Sequence, residues 1–538
     1  LVVSSCSDTT SYSEKGLDRM GQILALDSQS NQKIMEEINL FDLIPDESRV
    51  TLNEEQKRLI AVVKNRPTTA ELHFANLIND PENLLKEGKA LGLPLPDQKL
   101  FVAVGERTAV NKLGYLSWIG KGKSPLDTAT LILSPEGEVG GTLRVEGSIY
   151  QFEPLGEGLM AIILIDKSKF LPDHPPEFDP AAFIDTTTVD IGNEFNPEEK
   201  NILLSSAPNP GPEIDLLVVY TPTVASASSD INLLIDDAVS QTITTFGNSA
   251  VGANVVLQHS AQVNYNESGQ TIIQHLTSLI DPSDGIMDNV HSLRNQYMAD
   301  IVVLLVDDNQ YCGVATLLAQ QTTAFAVVNY QCATTNITFA HEIGHLMGAQ
   351  HDPFVNDDNP HFDYGYGYVD PNNQWRTIMA YGNACNNCAR IPYWSNPNVN
   401  HPITNQPMGT SSEHNNARVL NITQYDVRDF RTLSPPQSFI ITNRYSYNQS
   451  PHFTWIEHPQ ADYHRVYRCL TTSGTYPPSC FMLVGGGTDE WTDYNLTIYD
   501  PYSPPGGGNC PQSAIYQMTT ENRTGESNFT HQINVCIN

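Results

Sequence analysis

No stretch of this 538-residue chain is apolar for long enough to cross a bilayer; the longest continuous candidate, Ile301–Val306, is strand-sized. Positive charge is scarce. The chain carries 29 Lys+Arg against 61 Asp+Glu, a net charge of −32, and that field repels phosphate backbones and anionic lipid. Nucleic acid is therefore excluded as an expected partner, and the acidity otherwise serves solubility. Cysteine is missing between Cys6 and Cys312. Only Cys385-Asn386-Asn387-Cys388 forms a C-x-x-C knuckle, so a structural zinc site made of four cysteines is not expected. No acidic loop has the ligand spacing of a calcium site, so Ca2+ is not indicated. Long internal repeats and extended low-complexity tracts are also lacking.

What is present fits a folded, multidomain protein. The length exceeds one core, because cores stop growing near about 250–300 residues. Cysteine sits in four neighbouring couples, and proximity alone pairs them as Cys312–Cys332, Cys385–Cys388, Cys469–Cys480 and Cys510–Cys536. Such couples suit a disulfide-forming compartment, which points to secretion or the bacterial cell envelope. The ninth, Cys6, follows Val3-Ser4-Ser5, which resembles a bacterial lipobox. The resemblance implies a lipid anchor on Cys6, the alternative being a spare thiol. The chain begins at Leu1, and residues 1–6 read as the remnant of a removed signal.

Patterning divides the rest. Residues 7–170 read as helical and then β-rich: helical spacing over Asn53–Val63 and Thr69–Leu85, then strand signals at Phe101–Val104, Thr128–Leu133, Gly141–Val145, Ile149–Phe152 and Met160–Ile165. Residues 171–212 are rich in proline and read as an exposed linker. Residues 213–433 read as an α/β unit. Strands are expected at Ile214–Tyr220, Asn254–Val263, Asp300–Val306, Gly313–Leu317 and Ala324–Asn329, with Asp230 capping a helix. Residues 434–538 carry short strands about ten residues apart, the spacing of a small β-sandwich. The segments Tyr463–Arg468, Trp491–Asp493 and Ala514–Ser527 resemble a fibronectin type III domain.

The chemistry concentrates in His341-Glu342-Ile343-Gly344-His345-Leu346-Met347-Gly348-Ala349-Gln350-His351-Asp352. Residues four apart share a helix face, so His341 and His345 can aim at one ion. Gly348 lets the helix end and turn, which brings His351 round as a third ligand. Three imidazoles leave a zinc ion one open position, the arrangement of a catalytic rather than a structural site. In that setting Glu342 is the expected general base, taking a proton from water and passing it to the leaving amine.

The full H-E-x-x-H-x-x-G-x-x-H spacing is that of the metzincin metalloproteases, and the chain resembles a bacterial reprolysin (adamalysin)-like member. The resemblance covers about residues 213–433 and implies a mixed twisted sheet with an active-site helix. It assigns Met379, in Thr377-Ile378-Met379-Ala380-Tyr381, to the turn beneath the metal. It makes Asp352 a support of the site and Tyr381 a donor to the developing oxyanion. Gly313, Val314, Ala315, Thr316 and Leu317 resemble the edge strand on which an extended substrate adds. The segment Arg390–Ser395 follows the Met-containing turn, where such enzymes build their specificity pocket. Residues 7 to about 205 then read as a pro-region. No cysteine is available to silence a zinc, so latency falls to a carboxylate, a histidine or steric cover, with Asp173, His174, Glu177 and Asp179 at hand.

The expected function is that of a secreted or surface-anchored, monomeric zinc endopeptidase made as a zymogen, acting on proteins or peptides. The alternative is a non-catalytic adhesin on the same fold, which would have no use for Glu342.

Overall fold

The computed structural model describes residues 38–45, 50–96, 99–175, 212–355 and 362–431, together with the strands and short segments between 437 and 537. Cys6, Glu177, Asp179, Cys480, Cys510 and the greater part of the proline-rich stretch lie outside the described residues. The chain divides into two compact units, Leu1–Phe430 and Arg431–Asn538.

The first unit opens with a nine-stranded antiparallel sheet. Its spatial order is Phe41–Leu43, Thr69–Leu77, Leu159–Ile165, Ser148–Gly156, Val139–Val145, Thr128–Leu133, Leu116–Lys121, Lys99–Val110 and Ala90–Leu95. From Ala90 to Ile165 every strand pairs with its sequence neighbour, and Gly114, Gly137, Gly147 and Gly158, all at positive φ, turn the chain between four of these pairs. The helix expected near Asn53 is present at Glu54–Asn65, with Asn53 and Gln56 forming a reciprocal capping box. The expected helix over Thr69–Leu85 is not formed as one element. Thr69–Leu77 is a strand laid against Leu159–Ile165, with Leu72 opposite Ile163 and Phe74 opposite Ala161, and only Pro81–Leu84 is helical. Pairing with an apolar strand overrides a weak local preference.

The second layer of this unit is a five-stranded sheet in the order Asn254–Gln262, Glu213–Tyr220, Ile301–Val306, Phe325–Asn329, Gly313–Ala315. The first four strands are parallel and fully apolar runs such as Ile301–Val306 are buried throughout, as a sheet covered on both faces requires. Gly313–Ala315 runs antiparallel at the edge. Thr316 and Leu317 lie beyond its end, because the chain leaves the sheet to hydrogen-bond the helix that follows: Leu318 and Ala319 N–H donate to the His345 and Leu346 carbonyls at 2.8 and 2.9 Å.

One helix joins the two layers. Ile231–Asn248, capped by the Asp230 side chain on Asn232 N–H, sends Ile235, Ala238, Val239 and Phe246 into the core of the mixed sheet. Its other side packs Leu233 against Tyr115 and Ile132 of the nine-stranded sheet. Between these apolar contacts lies a buried polar seam. Asn111 and Ser117 donate to Asp236 at 2.9 and 2.6 Å, and Thr142 donates to Asp237 at 2.6 Å. Burial pushes the Asp237 carboxyl up to about 7, against the hydrogen bonds of Gln241 and Thr142 and the charge of Arg144.

The second unit contains two antiparallel sheets. One holds Gln437–Ile441, His452–Ile456 and Glu490–Thr492; the other holds Met482–Gly487, Tyr463–Thr471, Gln512–Asn522 and Gly525–Glu526, with Ile533–Ile537 also paired to Gln512–Asn522.

Candidate active site

The helix Thr338–Leu346 lies under the edge of the mixed sheet and carries His341, Glu342 and His345 at 1%, 0% and 5% exposure. Gly348, in the left-handed region at φ +93°, ends it. Gly348 N–H donates to the His345 carbonyl and Ala349 N–H to the Gly344 carbonyl, both at 2.8 Å. That is the double bond pattern by which a left-handed residue reverses the chain, and it returns His351 to the helix face it has just left.

The three rings converge. His341 Nε2 lies 3.1 Å from His345 Nε2 and 3.2 Å from His351 Nε2, and the last two are 2.8 Å apart. The Nδ1 atoms of His341 and His345 each lie 3.0 Å from a carbonyl oxygen, of Ile378 and Ala349 respectively. A carbonyl only accepts, so these Nδ1 atoms carry the protons and the converging Nε2 atoms present bare lone pairs. Burial pushes all three imidazoles well below their ordinary pKa, which keeps them neutral. Three unprotonated nitrogens this close repel unless a cation shares them. Tetrahedral zinc, with nitrogens at about 2.0–2.1 Å and so about 3.3 Å from one another, fits such a triangle.

Glu342 points to the same place. Neither carboxylate oxygen has a hydrogen-bond partner among the described residues, and both are buried. Burial first, and then the Asp173 charge, push this carboxyl well above the usual range. Its room comes from Gly313: a Cβ there would stand 2.2 Å from Glu342 Oε1. The edge-strand glycine is thus fixed by the catalytic helix beneath it, a constraint that sequence spacing does not reveal.

Met379 is fully buried beneath the helix, with its sulfur 3.3 Å from where a Cβ on Gly344 would sit. Asp352 ties this turn to the third histidine by accepting from Tyr381 N–H at 2.7 Å and Phe354 N–H at 3.1 Å. The Tyr381 ring meets His351 edge-on, 4.5 Å between centroids. Burial, then the charges of Asp173 and Glu342, push its phenol far up, so it is held as an O–H donor. The disulfide Cys312–Cys332 fastens the start of the edge strand, and Cys385–Cys388 closes the loop after Tyr381. Cys469 is disulfide-bonded, while the expected partner Cys480 and the pair member Cys510 lie outside the described residues.

Residues 171–175 are not the exposed linker their prolines suggest. Leu171–Pro175 enters the cleft: Cys312 N–H donates to the Pro172 carbonyl at 2.9 Å and Gly313 N–H to the Asp173 carbonyl at 3.2 Å. The Asp173 carboxylate lies 2.7 Å from Arg390 Nη2 and 3.6 Å from Arg376 Nη1, and accepts from Asn336 Nδ2 at 2.9 Å. Burial works to raise this carboxyl, but the two guanidinium charges prevail and hold it below the ordinary value. The next ring, His174, stands 5.3 and 5.4 Å from the His345 and His351 rings, and groups with Glu342 and His345 as potential ligands. Asp173 and His174 were two of four candidates in the sequence. Arg376 and Asn336 carried no sequence signal at all.

Residues 212–395 match the model of metallo-peptidase family M12. A peptidyl-Asp metalloendopeptidase of Xanthomonas campestris pv. campestris is 35% identical over 314 residues, covering 58% of this chain and 71% of that protein. One from Stenotrophomonas maltophilia is 34% identical over 333 residues, 58% of this chain and 76% of that protein. One from Pseudomonas fragi is 32% identical over 185 residues, 34% of this chain and 95% of that protein.

Proposed function

Because this chain belongs to metallopeptidase family M12 and is a metzincin-type metalloendopeptidase, we propose that it uses zinc to hydrolyse peptide bonds at aspartate residues, as the name of its relatives has it. The convergence of three bare Nε2 atoms beside the unpartnered Glu342 carboxylate carries the reading. Bound there by His341, His345 and His351, zinc supplies Lewis acidity towards a water and a peptide carbonyl. Glu342 accepts the proton that water loses on attack and returns it to the departing amine. Its burial without partners leaves both oxygens free for this work and raises its basicity. Tyr381, kept protonated, donates to the oxygen on which charge develops. Asp352 keeps the Tyr381 backbone against the third histidine.

The same reading makes the chain a zymogen. The strap Leu171–Pro175 lies where an extended substrate would add to the edge strand, and its His174 faces the histidine cluster. Latency then needs no cysteine; cutting within 176–211 starts release. The disulfides favour an exported enzyme, free or held to the envelope through Cys6. The second unit serves as a fibronectin type III-like accessory domain.

The test compares wild type with Glu342→Gln, after cutting the linker, on a denatured protein with and without chelator. Loss of cleavage in the variant and in chelator is expected; equal cleavage by both enzymes sinks the mechanism.

A further inference from the structure

We propose that Arg390 and Arg376, with the Asn336 amide, form the pocket that reads the aspartate side chain of a substrate, and that Asp173 is the chain's own occupant of that pocket. The inference rests on the peptidase reading above and adds the residues that decide where the enzyme cuts.

The pocket is built by a short register. Trp375–Arg376 and Ala389–Arg390 pair in parallel, which places Arg376 directly opposite Arg390. The backbone around them is closed by the Cys385–Cys388 disulfide. Each guanidinium is also tied to main chain. Arg390 Nη1 donates to the Asn336 carbonyl at 2.9 Å, and Arg376 donates to the carbonyls of Ala380 and, at 3.4 Å, Cys388. Both side chains are nearly buried, at 5% and 10% exposure.

Two cations held side by side out of water are costly to fold. Burial, and then the like charge of Arg390, lower the Arg376 pKa to about 9. Such a pair is stable only with an anion between them, and the carboxylate found there is Asp173. It is bound as a ligand would be. One oxygen accepts from the Asn336 amide, the other lies 2.7 Å from Arg390 Nη2 in an ion pair, and the peptide on either side is pinned by Cys312 and Gly313 N–H. With the main chain held to the edge strand, the distance to the guanidiniums suits the one-methylene stem of aspartate. Glutamate would drive its carboxylate into the arginines, and asparagine would bring no charge to offset them.

The same edge strand that holds Pro172 and Asp173 is the one on which a substrate adds. A substrate aspartate entering beside Glu342 therefore meets this pocket only after Asp173 has left it.

The test uses the full chain carrying Asp173→Ala, cut within 176–211 and stripped of metal by chelator. Fluorescence anisotropy follows a labelled peptide with a single aspartate and its asparagine and glutamate versions. Aspartate is expected to bind about tenfold or more tightly than either, and adding Arg390→Gln to erase the difference. Arg390→Lys should recover part of it. Equal binding of the aspartate and asparagine peptides, or no binding of any, overturns the proposal. A second measurement, on metal-loaded Asp173→Ala chain cut within 176–211 and digesting a denatured protein, maps the new termini by mass spectrometry. Arg390→Gln should reduce cuts at aspartate about tenfold relative to all other cuts. Unchanged aspartate preference overturns the pocket with the peptidase reading intact. If neither chain cuts anything, the peptidase reading fails, and the metal-free binding result decides the pocket by itself.

Discussion

Two clusters of buried polar groups meet at successive residues of the strap, Asp173 and His174, and they are opposites. On one side three neutral bases, His341, His345 and His351, direct lone pairs at a point that only a cation can share. On the other, two cations, Arg376 and Arg390, converge on a carboxylate that the chain itself provides. The first cluster is completed from solution and the second from within. Chemistry and recognition are thereby separated, so each can be broken without destroying the other.

The largest effect should come from the basic side of that division. Glu342→Gln should lower kcat/KM by about 10³-fold while zinc content and Tm stay unchanged, as measured by turnover, metal analysis and melting. Gly313→Ala should follow, at about 10²-fold. Its new methyl displaces Glu342 by overlapping Oε1, again with metal retained. On the recognition side, a double-mutant cycle between Asp173 and Arg390 in the uncut chain should give a coupling of about 2–3 kcal/mol, read from denaturant unfolding. A coupling near zero would make the pair incidental.

The smallest effect lies away from the cleft, in the seam that docks the nine-stranded sheet. Asp237 has its folded pKa raised to about 7 by burial, above the ordinary aspartate value. A raised carboxyl contributes stability at low pH and loses it as pH climbs through the folded value. Docking of the sheet should therefore weaken between about pH 4 and pH 7. Asp236, also raised by burial, adds to the trend, and Arg144 beside Asp237 opposes it. Asp237→Asn should flatten the profile, which co-purification of the linker-cut halves against pH would measure.

How much of this a reader of residues could foresee depends on distance along the chain. The histidine side is written within eleven residues, because one helix and one left-handed turn suffice to gather it. The buried strands of the mixed sheet were equally visible in runs such as Ile301–Val306. The arginine side is assembled from a two-residue bridge, an asparagine before the helix and a carboxylate far upstream, and no local spacing announces it. Proline content marked Leu171–Pro175 as linker, but proline records only how a segment bends and what it cannot donate. Thr69–Leu77 took its form from a partner strand rather than from its own period. The helix Ile272–Ile280 escaped notice although Thr271 and Gln274 form a capping box readable from sequence.

The strap has a kinetic corollary. Leu171–Pro175 leads directly out of the last strand of the nine-stranded sheet, so while that sheet stays docked the occupant's local molarity does not depend on dilution. Such tethering corresponds to on the order of millimolar inhibitor. Scission downstream leaves the tether whole. Activation is then a unimolecular departure of the sheet, whose rate a protease making the cut cannot hasten beyond its own first-order limit.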